Sequence, residues 1–537
     1  MLHSIRTTLL IAAFYSILPG VVAQFPYLRV LDGQSSDRIT ALLTTTDGAV
    51  YAGGNYSAGA MLGGSVLPLY GDDDIFLTKT DENGSHLWTI TGGGSFDDRS
   101  EALVTDPDGN VYWTGSYRGA AVLGPFDLTD PTNQKVAFVA RISVAGEVIW
   151  VRTFRGMGFK NIDDVVATDD RVVVVGSFSE ELTLPDGSVL PTSSDGRSAF
   201  LSVLDAANGD PLLTDQVGDT GTFAARAIAA APDGILHLVG DFRGSGQVQS
   251  QTVQTLTQND DVFYATASVS TGLQTIQRIG GANQALATDI ATDAVGNAYL
   301  SGNFFGLIGT ENGLSVSSNN FQTDGFLLRI DADGTPAWLR DFGGDGADNI
   351  QALYVKNDRV IAAGSFSEDF STSLSYDLNG AQRAGYLAKF NTETGENTSG
   401  FVTTGSGVVN VFALAPGVDA PVFGGQFTGF LQLGDLQFPA ENGFAAFWWQ
   451  TGENTVSTRA VIEPVGLCLF PNPATAETQI VLKNERLKSW TLYDLSGRVR
   501  ATGTEPIINR RSLNSGIYTL ELRTSTDRIL IGRLLFQ

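Results

Sequence analysis

The stretch Asp324-Gly-Phe-Leu-Leu-Arg-Ile-Asp-Ala-Asp-Gly334-Thr-Pro-Ala-Trp338 decides how this chain is read, because its pattern keeps returning. An aromatic residue inside an apolar run, Phe326, is followed eight residues later by a turn glycine, Gly334, and then by a second apolar run. The same beat carries Phe76, Phe138, Phe200, Phe263, Phe326, Tyr386 and Phe444, each eight or nine residues before Gly84, Gly146, Gly209, Gly272, Gly334, Gly395 and Gly452. Upstream of each aromatic runs a second series, a Gly-x-aromatic triplet closing an apolar strand. Its glycines are Gly54, Gly115, Gly176, Gly240, Gly302, Gly364 and Gly425, spaced 61, 61, 64, 62, 62 and 61. The aromatics that follow are Tyr56, Tyr117, Phe178, Phe242, Phe304, Phe366 and Phe427. Two series in register over some 400 residues identify an internal repeat.

One unit reads as four strands. In the second, Arg99–Thr105 is followed by the turn Asp106-Pro-Asp-Gly109, then by Asn110–Tyr117, Ala137–Ser143 and Val148–Phe154. Strands rich in aromatic and β-branched residues suit a pleated, half-buried surface. Four antiparallel strands repeated seven times predict an all-β seven-bladed β-propeller. A loop of about 17 residues between the second and third strand accounts for the long period and differs in sequence from unit to unit. The seventh unit lacks a fourth strand after Gly452. Tyr27-Leu-Arg-Val-Leu-Asp-Gly33 matches Trp338-Leu-Arg-Asp-Phe-Gly-Gly344, so the N-terminal segment is expected to supply it and close the ring.

The repeated units, for example Asp108-Gly-Asn-Val-Tyr-Trp-Thr-Gly115, resemble the β-propeller repeat of secreted bacterial proteins known as SBBP. The resemblance covers roughly residues 25–455 and implies a fold but no defined activity. After a linker at 457–466 the pattern changes. Pro471-Asn472-Pro473, then Leu492-Tyr493-Asp494-Leu-Ser-Gly497-Arg498, then Leu513-Asn-Ser-Gly516-Ile-Tyr518 and a basic last strand follow in order. These motifs resemble the type A C-terminal sorting domain of the Bacteroidota type IX secretion system. The resemblance implies a small Ig-like β-sandwich over 467–537, recognition by the type IX machinery, and release or attachment at the cell surface. Arg528 and Arg533 stand where lysines are commoner in that family and keep the charge.

The other terminus agrees with export. Arg6, the apolar run Leu9–Leu18, Pro19-Gly20 and the small residues Val21 and Ala23 predict a signal peptide over 1–23, with the propeller spanning 24–456. The apolar run is shorter than the roughly 20 residues a membrane span needs. A lone Cys468 permits no disulfide within the chain.

Charge and residue usage narrow the function. The chain carries a formal net charge of −25, and the segment from Gly466 on is basic, so the repeat region is more acidic still. Such a surface repels phosphate backbones and argues against nucleic-acid partners. With three histidines and one cysteine there is no set of residues for a His- or Cys-based nucleophile, nor for zinc, and no catalytic residue is assigned. His237 occupies the slot held by Tyr51, Tyr112 and Tyr299 and reads as packing. Acidic pairs such as Asp72-Asp73-Asp74 and Asp163-Asp164 keep a carboxylate-dependent polysaccharide hydrolase or lyase open. Asp37, Asp98 and Asp348, each just before a first strand, are the candidate calcium ligands; no other cofactor is implied. The reading is a monomeric, non-catalytic binding or adhesion module for a glycan or protein, with a purely structural surface role as a further alternative.

Overall fold

The computed structural model describes residues 27–128, 130–168, 170–192, 196–372, 374–378, 380–418, 420–433, 436–441, 443–450, 467–470, 476–482, 486–493, 498–510, 513–525 and 529–536. Among them there is no α-helix, only a 3-10 turn at Asn319–Phe321. The leader, the linker and Gly452 lie outside the described residues.

Seven four-stranded antiparallel units follow one another, and sheet contacts join the third and fourth through a single parallel pairing of Arg197 with Thr222. Their first strands are Arg38–Thr44, Arg99–Thr105, Lys160–Ala167, Thr220–Ala230, Ala285–Thr292, Asn349–Lys356 and Val409–Ala415. Each first strand packs on the next, and the seventh packs on the first, so the arrangement is a closed, propeller-like ring. The fourth strand of the seventh unit is Tyr27–Leu31, with Leu28 opposite Trp449 and Val30 opposite Phe447.

The glycine of each Gly-x-aromatic triplet has a steric cause. In all seven units the first strand carries a β-bulge opposite the second, as between Ala287 and Asp289 or Ile350 and Ala352. A bulge pushes one strand out of plane, here placing its carbonyl under the glycine. A Cβ on Gly302 would lie 2.2 Å from the Leu286 oxygen, and one on Gly364 1.9 Å from that of Asn349. The ring of the second aromatic series covers the same glycine: Phe326 lies 2.4 Å from that hypothetical Cβ. In the seventh unit the residue opposite Gly425 is Phe447, so Phe447 rather than Phe444 belongs to this series. Phe444 precedes the strand, and its carbonyl accepts the Asp37 N–H at 2.8 Å.

The turn glycines form a second repeated contact. Indole N–H groups of Trp88, Trp150 and Trp338 donate to the carbonyls of Val144, Ala206 and Thr392 in the following unit. The glycines beside those carbonyls, Gly146, Gly209 and Gly395, have φ between +68° and +87° and lie against the same indole rings. A turn needing positive φ and a flat seat on tryptophan admits only glycine.

The long second-to-third-strand connections are more ordered than their sequences suggest. They hold short hairpins, including Met61–Leu62 with Ser65–Val66, Glu181–Thr183 with Val189–Pro191, and Leu307–Thr310 with Ser315–Ser317. Several add to the fourth strand of the preceding unit, as Leu123 opposite Gly92 and Thr310 opposite Ile279 show. In the sixth unit Phe370 and Tyr376 of the hairpin stack at 4.7 Å and pack on Phe342 and Tyr386.

The C-terminal segment folds as two antiparallel sheets. Leu467–Phe470, Glu477–Leu482 and Ile507–Asn509 form one; Val499–Gly503, Leu487–Tyr493, Gly516–Thr524 and Ile529–Phe536 form the other. They share a core that includes Ile480, Trp490, Leu492, Ile508, Leu520 and Phe536. The strands at 467–470, 499–503 and 507–509 are too short and too poorly patterned to be read from sequence.

Overpacking a dense core costs about 1–3 kcal/mol, so Gly302→Ala should lower the unfolding free energy by that amount. Val295→Ala, at an exposed turn, should change it by less than about 0.5 kcal/mol. Urea denaturation of the two variants checks the contrast.

Candidate functional site

First strands and third strands both begin on the face that carries the long hairpins. Where the first strands converge, a cavity of about 220 Å³ is lined by Arg38, Thr40, Arg99, Glu101 and Phe412, contributed by the first, second and seventh units. Three cations from neighbouring strands extend this charged mouth. Lys135 Nζ donates to Asn161 Oδ1 at 3.0 Å and, with Arg197, lies over the Phe159 ring at 5.0 and 4.2 Å. Arg226 Nε donates to Asp241 at 2.6 Å and its Nη1 reaches Asp163 at 3.4 Å.

Electrostatics here are finely divided. Burial pushes the Glu101 carboxyl up to about 7, Asp163 adds to the rise, and Lys135, Arg99 and Arg38 oppose it. Arg38 is lowered, first by burial and then by the like charge of Arg99. The Arg38 Nε is buried and has no hydrogen-bond acceptor, and one oxygen of Asp163 is likewise unpartnered. An unpaired buried donor costs about 1–3 kcal/mol, a cost that an acceptor at the Arg38 Nε would remove.

Further along the first strands two carboxyls serve the ring itself. Asp164 accepts the Ile228 N–H of the next unit at 2.8 Å, and Asp289 accepts that of Leu353 at 2.7 Å. Burial raises them to about 8 and about 7. The Asp163-Asp164 pair therefore splits, one residue facing the mouth and the other stitching two units.

Asp37, Asp98 and Asp348 lie at three different junctions between units and do not form one site. Each is fully buried and wired alike: one oxygen accepts the N–H of the residue four positions earlier (Gly33, Gly94, Gly344), the other an N–H at the end of its unit's second strand (Ser57, Arg118, Ser367). Among the described residues no group of three or more His, Cys, Asp or Glu side chains is arranged around a metal position. His237 is buried with Nδ1 2.6 Å from the Tyr264 hydroxyl, and burial lowers its pKa. His86 is on the surface beside Thr89. Of the sorting-signal residues, Pro471, Asn472, Pro473, Asp494 and Gly497 lie outside the described residues. Tyr493 ends one strand of the C-terminal hairpin, Arg498 precedes the next, and Gly516 opens the strand in which Tyr518 packs on Phe536 at 6.1 Å. The Tyr518 hydroxyl donates to the Asn514 carbonyl at 2.9 Å.

Sequence reading missed Arg38, Arg99, Glu101, Lys135 and Arg226. Their signal was positional: Glu101, Asp163 and Arg226 share the bulge position of successive first strands, which any alignment of the units on their glycines exposes.

A carboxyl raised in the fold stabilises it fully below its unfolded pKa, here 4.5, and loses that contribution as pH climbs through the folded value of about 7. Glu101→Gln should therefore match the parent in Tm near pH 4.5 and exceed it at pH 8. Thermal unfolding across that range checks the sign.

Three kinds of comparison bear on this chain. Residues 468–534 match the family described as Secretion system C-terminal sorting domain, so a type IX sorting domain is present and the protein is a secreted or cell-surface one. Over 383 residues the chain is 26% identical to Regulatory protein FlaEY of Caulobacter vibrioides (strain ATCC 19089 / CIP 103742 / CB 15); the match covers 66% of this chain, which spans about two fifths (39%) of that relative. Among solved structures, a protein of unknown function from Dyadobacter fermentans DSM 18053 aligns with a TM-score of 0.33 at 11% identity, over 79% of this chain and 99% of its own. A subtype N10 neuraminidase-like protein of A/little yellow-shouldered bat/Guatemala/060/2010 aligns at 0.32 and 8%, over 80% and 100%. The gluconolactonase XC5397 of Xanthomonas campestris aligns at 0.29 and 11%, over 63% and 87%.

Proposed function

We propose that the protein is a non-catalytic binding module, a seven-bladed β-propeller of SBBP type carried to the surface or medium of a Bacteroidota cell by an Ig-like sorting domain. It binds its ligand at the mouth of the axial channel, and the ligand carries anionic groups, as an acidic polysaccharide does. The observation that supports this reading is Arg38, whose buried Nε has no acceptor, next to Arg99 on the same cavity. Paired guanidinium groups suit carboxylate or sulfate, since their planar forks bind such oxygens bidentately. Glu101, raised to about 7, is partly protonated at neutral pH and so can donate a hydrogen bond to the same anion. The repeat region is acidic overall, so an anionic ligand is favoured where its basic side chains gather. Exposed Met61, Val66, Leu69 and Tyr70 in the first unit's long connection offer apolar area on the same face for sugar rings.

A second reading is a polysaccharide hydrolase or lyase. Glu101 beside Asp163 is the observation that favours it, because a carboxylic acid with a pKa near 7 next to a carboxylate is the pair that glycosidic cleavage uses. Two assays on one panel separate the readings. Binding of uronate-rich and sulfated polysaccharides should fall at least about tenfold in Arg38→Ala/Arg99→Ala, with neutral glucans bound weakly by both proteins. Binding unaffected by this double variant would remove the mouth as the site. Release of reducing ends that disappears in Glu101→Gln would establish the enzyme instead.

The sorting domain is tested by its loss. A chain lacking 468–534, expressed in a host with a working type IX system, should accumulate inside the outer membrane instead of reaching the surface. Fractionation followed by immunoblotting measures it.

A further inference from the structure

At two junctions of the ring, aspartates face each other from neighbouring units. Asp74 opens the third strand of the first unit and meets Asp98, just before the first strand of the second. Asp324 and Asp348 meet in the same way between the fifth and sixth units. All four are at most 1% exposed. The two pairs are wired alike, save that Oδ2 of Asp324 also accepts from Asn319 Nδ2 at 3.2 Å. Oδ2 of the first aspartate accepts a loop N–H, from Tyr70 at 2.5 Å or from Asn319 at 2.7 Å. Its Oδ1 is buried with no hydrogen-bond partner in both pairs. That orphan oxygen and Oδ2 of the second aspartate converge over the Cα of one glycine. A Cβ on Gly93 would lie 2.1 Å from Asp74 Oδ1 and 2.8 Å from Asp98 Oδ2; on Gly343 the distances to Asp324 and Asp348 are 2.6 and 3.0 Å.

Other junctions show how the chain neutralises such positions when only one charge is present. Asp261 holds the place of Asp74 in the fourth unit, but Ala285 replaces the second aspartate and Arg278 Nε donates to Asp261 at 2.7 Å. Between the second and third units Val136 replaces the first aspartate and Lys160 the second; its ammonium donates to the carbonyls of Gly156, Met157 and Gly158 at 2.6, 3.2 and 2.8 Å. Where the arginine of the fourth unit would fall, the two paired junctions have Thr91 and Asp341. Further acidic residues surround both pairs: Asp72, Asp73 and Asp97 at one, Asp341 and Glu368 at the other, with Arg383 acting on Asp348 alone. Burying two carboxylates together is expensive where no cation compensates both.

We propose that each aspartate pair, Asp74 with Asp98 and Asp324 with Asp348, binds a hard divalent cation of the calcium class that links adjacent units of the ring. Carboxylate oxygens are the donors such ions take, at 2.3–2.6 Å, and each site offers two carboxylates, leaving backbone oxygens and water to complete the shell. So few charged donors set the affinity in the weak range, about 10⁻⁴–10⁻³ M, that extracellular modules use. Burial also raises Asp74 to about 6, Asp98 to about 7 and Asp324 to about 6, so protons compete with the metal. The pairing differs from the sequence expectation: Asp98 and Asp348 take part, each with a third-strand partner. Asp37 does not, because Ala445 holds the place of the third-strand aspartate in the seventh unit.

The test is calcium titration of the full chain at pH 7.5. Calorimetry should give two sites per chain, and 10 mM calcium should raise Tm by about 2–5 °C, with the same concentration of magnesium doing less. Asp74→Asn should leave one site and Asp74→Asn/Asp324→Asn none, whereas Asp37→Asn should keep both. If the double variant fails to fold, the stoichiometry of the parent and of each single variant still decides. No uptake by the parent at 10 mM, or uptake unchanged in the variants, overturns the proposal. So does a Tm that rises only as pH falls through 7 and ignores calcium, since it identifies a shared proton in place of a metal.

Discussion

A backbone carbonyl of each first strand occupies the space where the Cβ of a second-strand residue would otherwise be. The ring is organised around this contact. At Gly54, Gly115, Gly176, Gly240, Gly302, Gly364 and Gly425 a Cβ would come within 1.9–2.3 Å of that oxygen. The bulge that pushes the carbonyl there turns the next residue of the first strand toward the axis, and the missing side chain lets an aromatic ring of the third strand close over the gap. Inner strand, axis-facing side chain and core ring are thus three consequences of one close approach.

After four of these glycines the next residue carries the order from one unit to the next. Asn55 donates to the Asp98 carbonyl, Asp241 accepts the Ala287 N–H at 2.7 Å, Asn303 that of Ile350 at 2.9 Å, and Ser365 that of Val411 at 3.1 Å. Asp164 and Asp289 repeat the device on the inner strands. On the opposite face the tryptophan-to-turn contacts do the same with an indole N–H. Every junction is therefore polar as well as apolar. Asp241 shows how a site can grow from such stitching, for its second oxygen holds Arg226 at the channel mouth.

Charge is distributed against its average. A chain with net charge −25 gathers Arg38, Arg99, Lys135, Arg197 and Arg226 at one end of its axis and puts aspartate pairs at two of the outer junctions. The first arrangement suits an anion and the second a cation. Both arise because strands far apart in sequence begin on the same face of the ring.

By itself the sequence determined the repeat, its four-stranded unit and the sorting domain, because each depends on residues of fixed spacing along the chain. Gly302, Phe326 and Gly334 are constrained by neighbours within a single unit, so their pattern recurs wherever the unit does. Phe444 was misplaced for the same reason: spacing marked a nearby aromatic, while strand register selects Phe447. Hairpin order in the long connections was not legible, since it depends on pairing with the preceding unit, as Leu123 does with Gly92. The mouth was even less so. Arg38, Glu101 and Arg226 look like scattered surface charges in the sequence and become neighbours only when seven inner strands share an axis. The pairing of Asp74 with Asp98 likewise exists only once two units have docked. Tertiary structure decided the sites, because electrostatics acts across space between residues whose positions the local pattern leaves free.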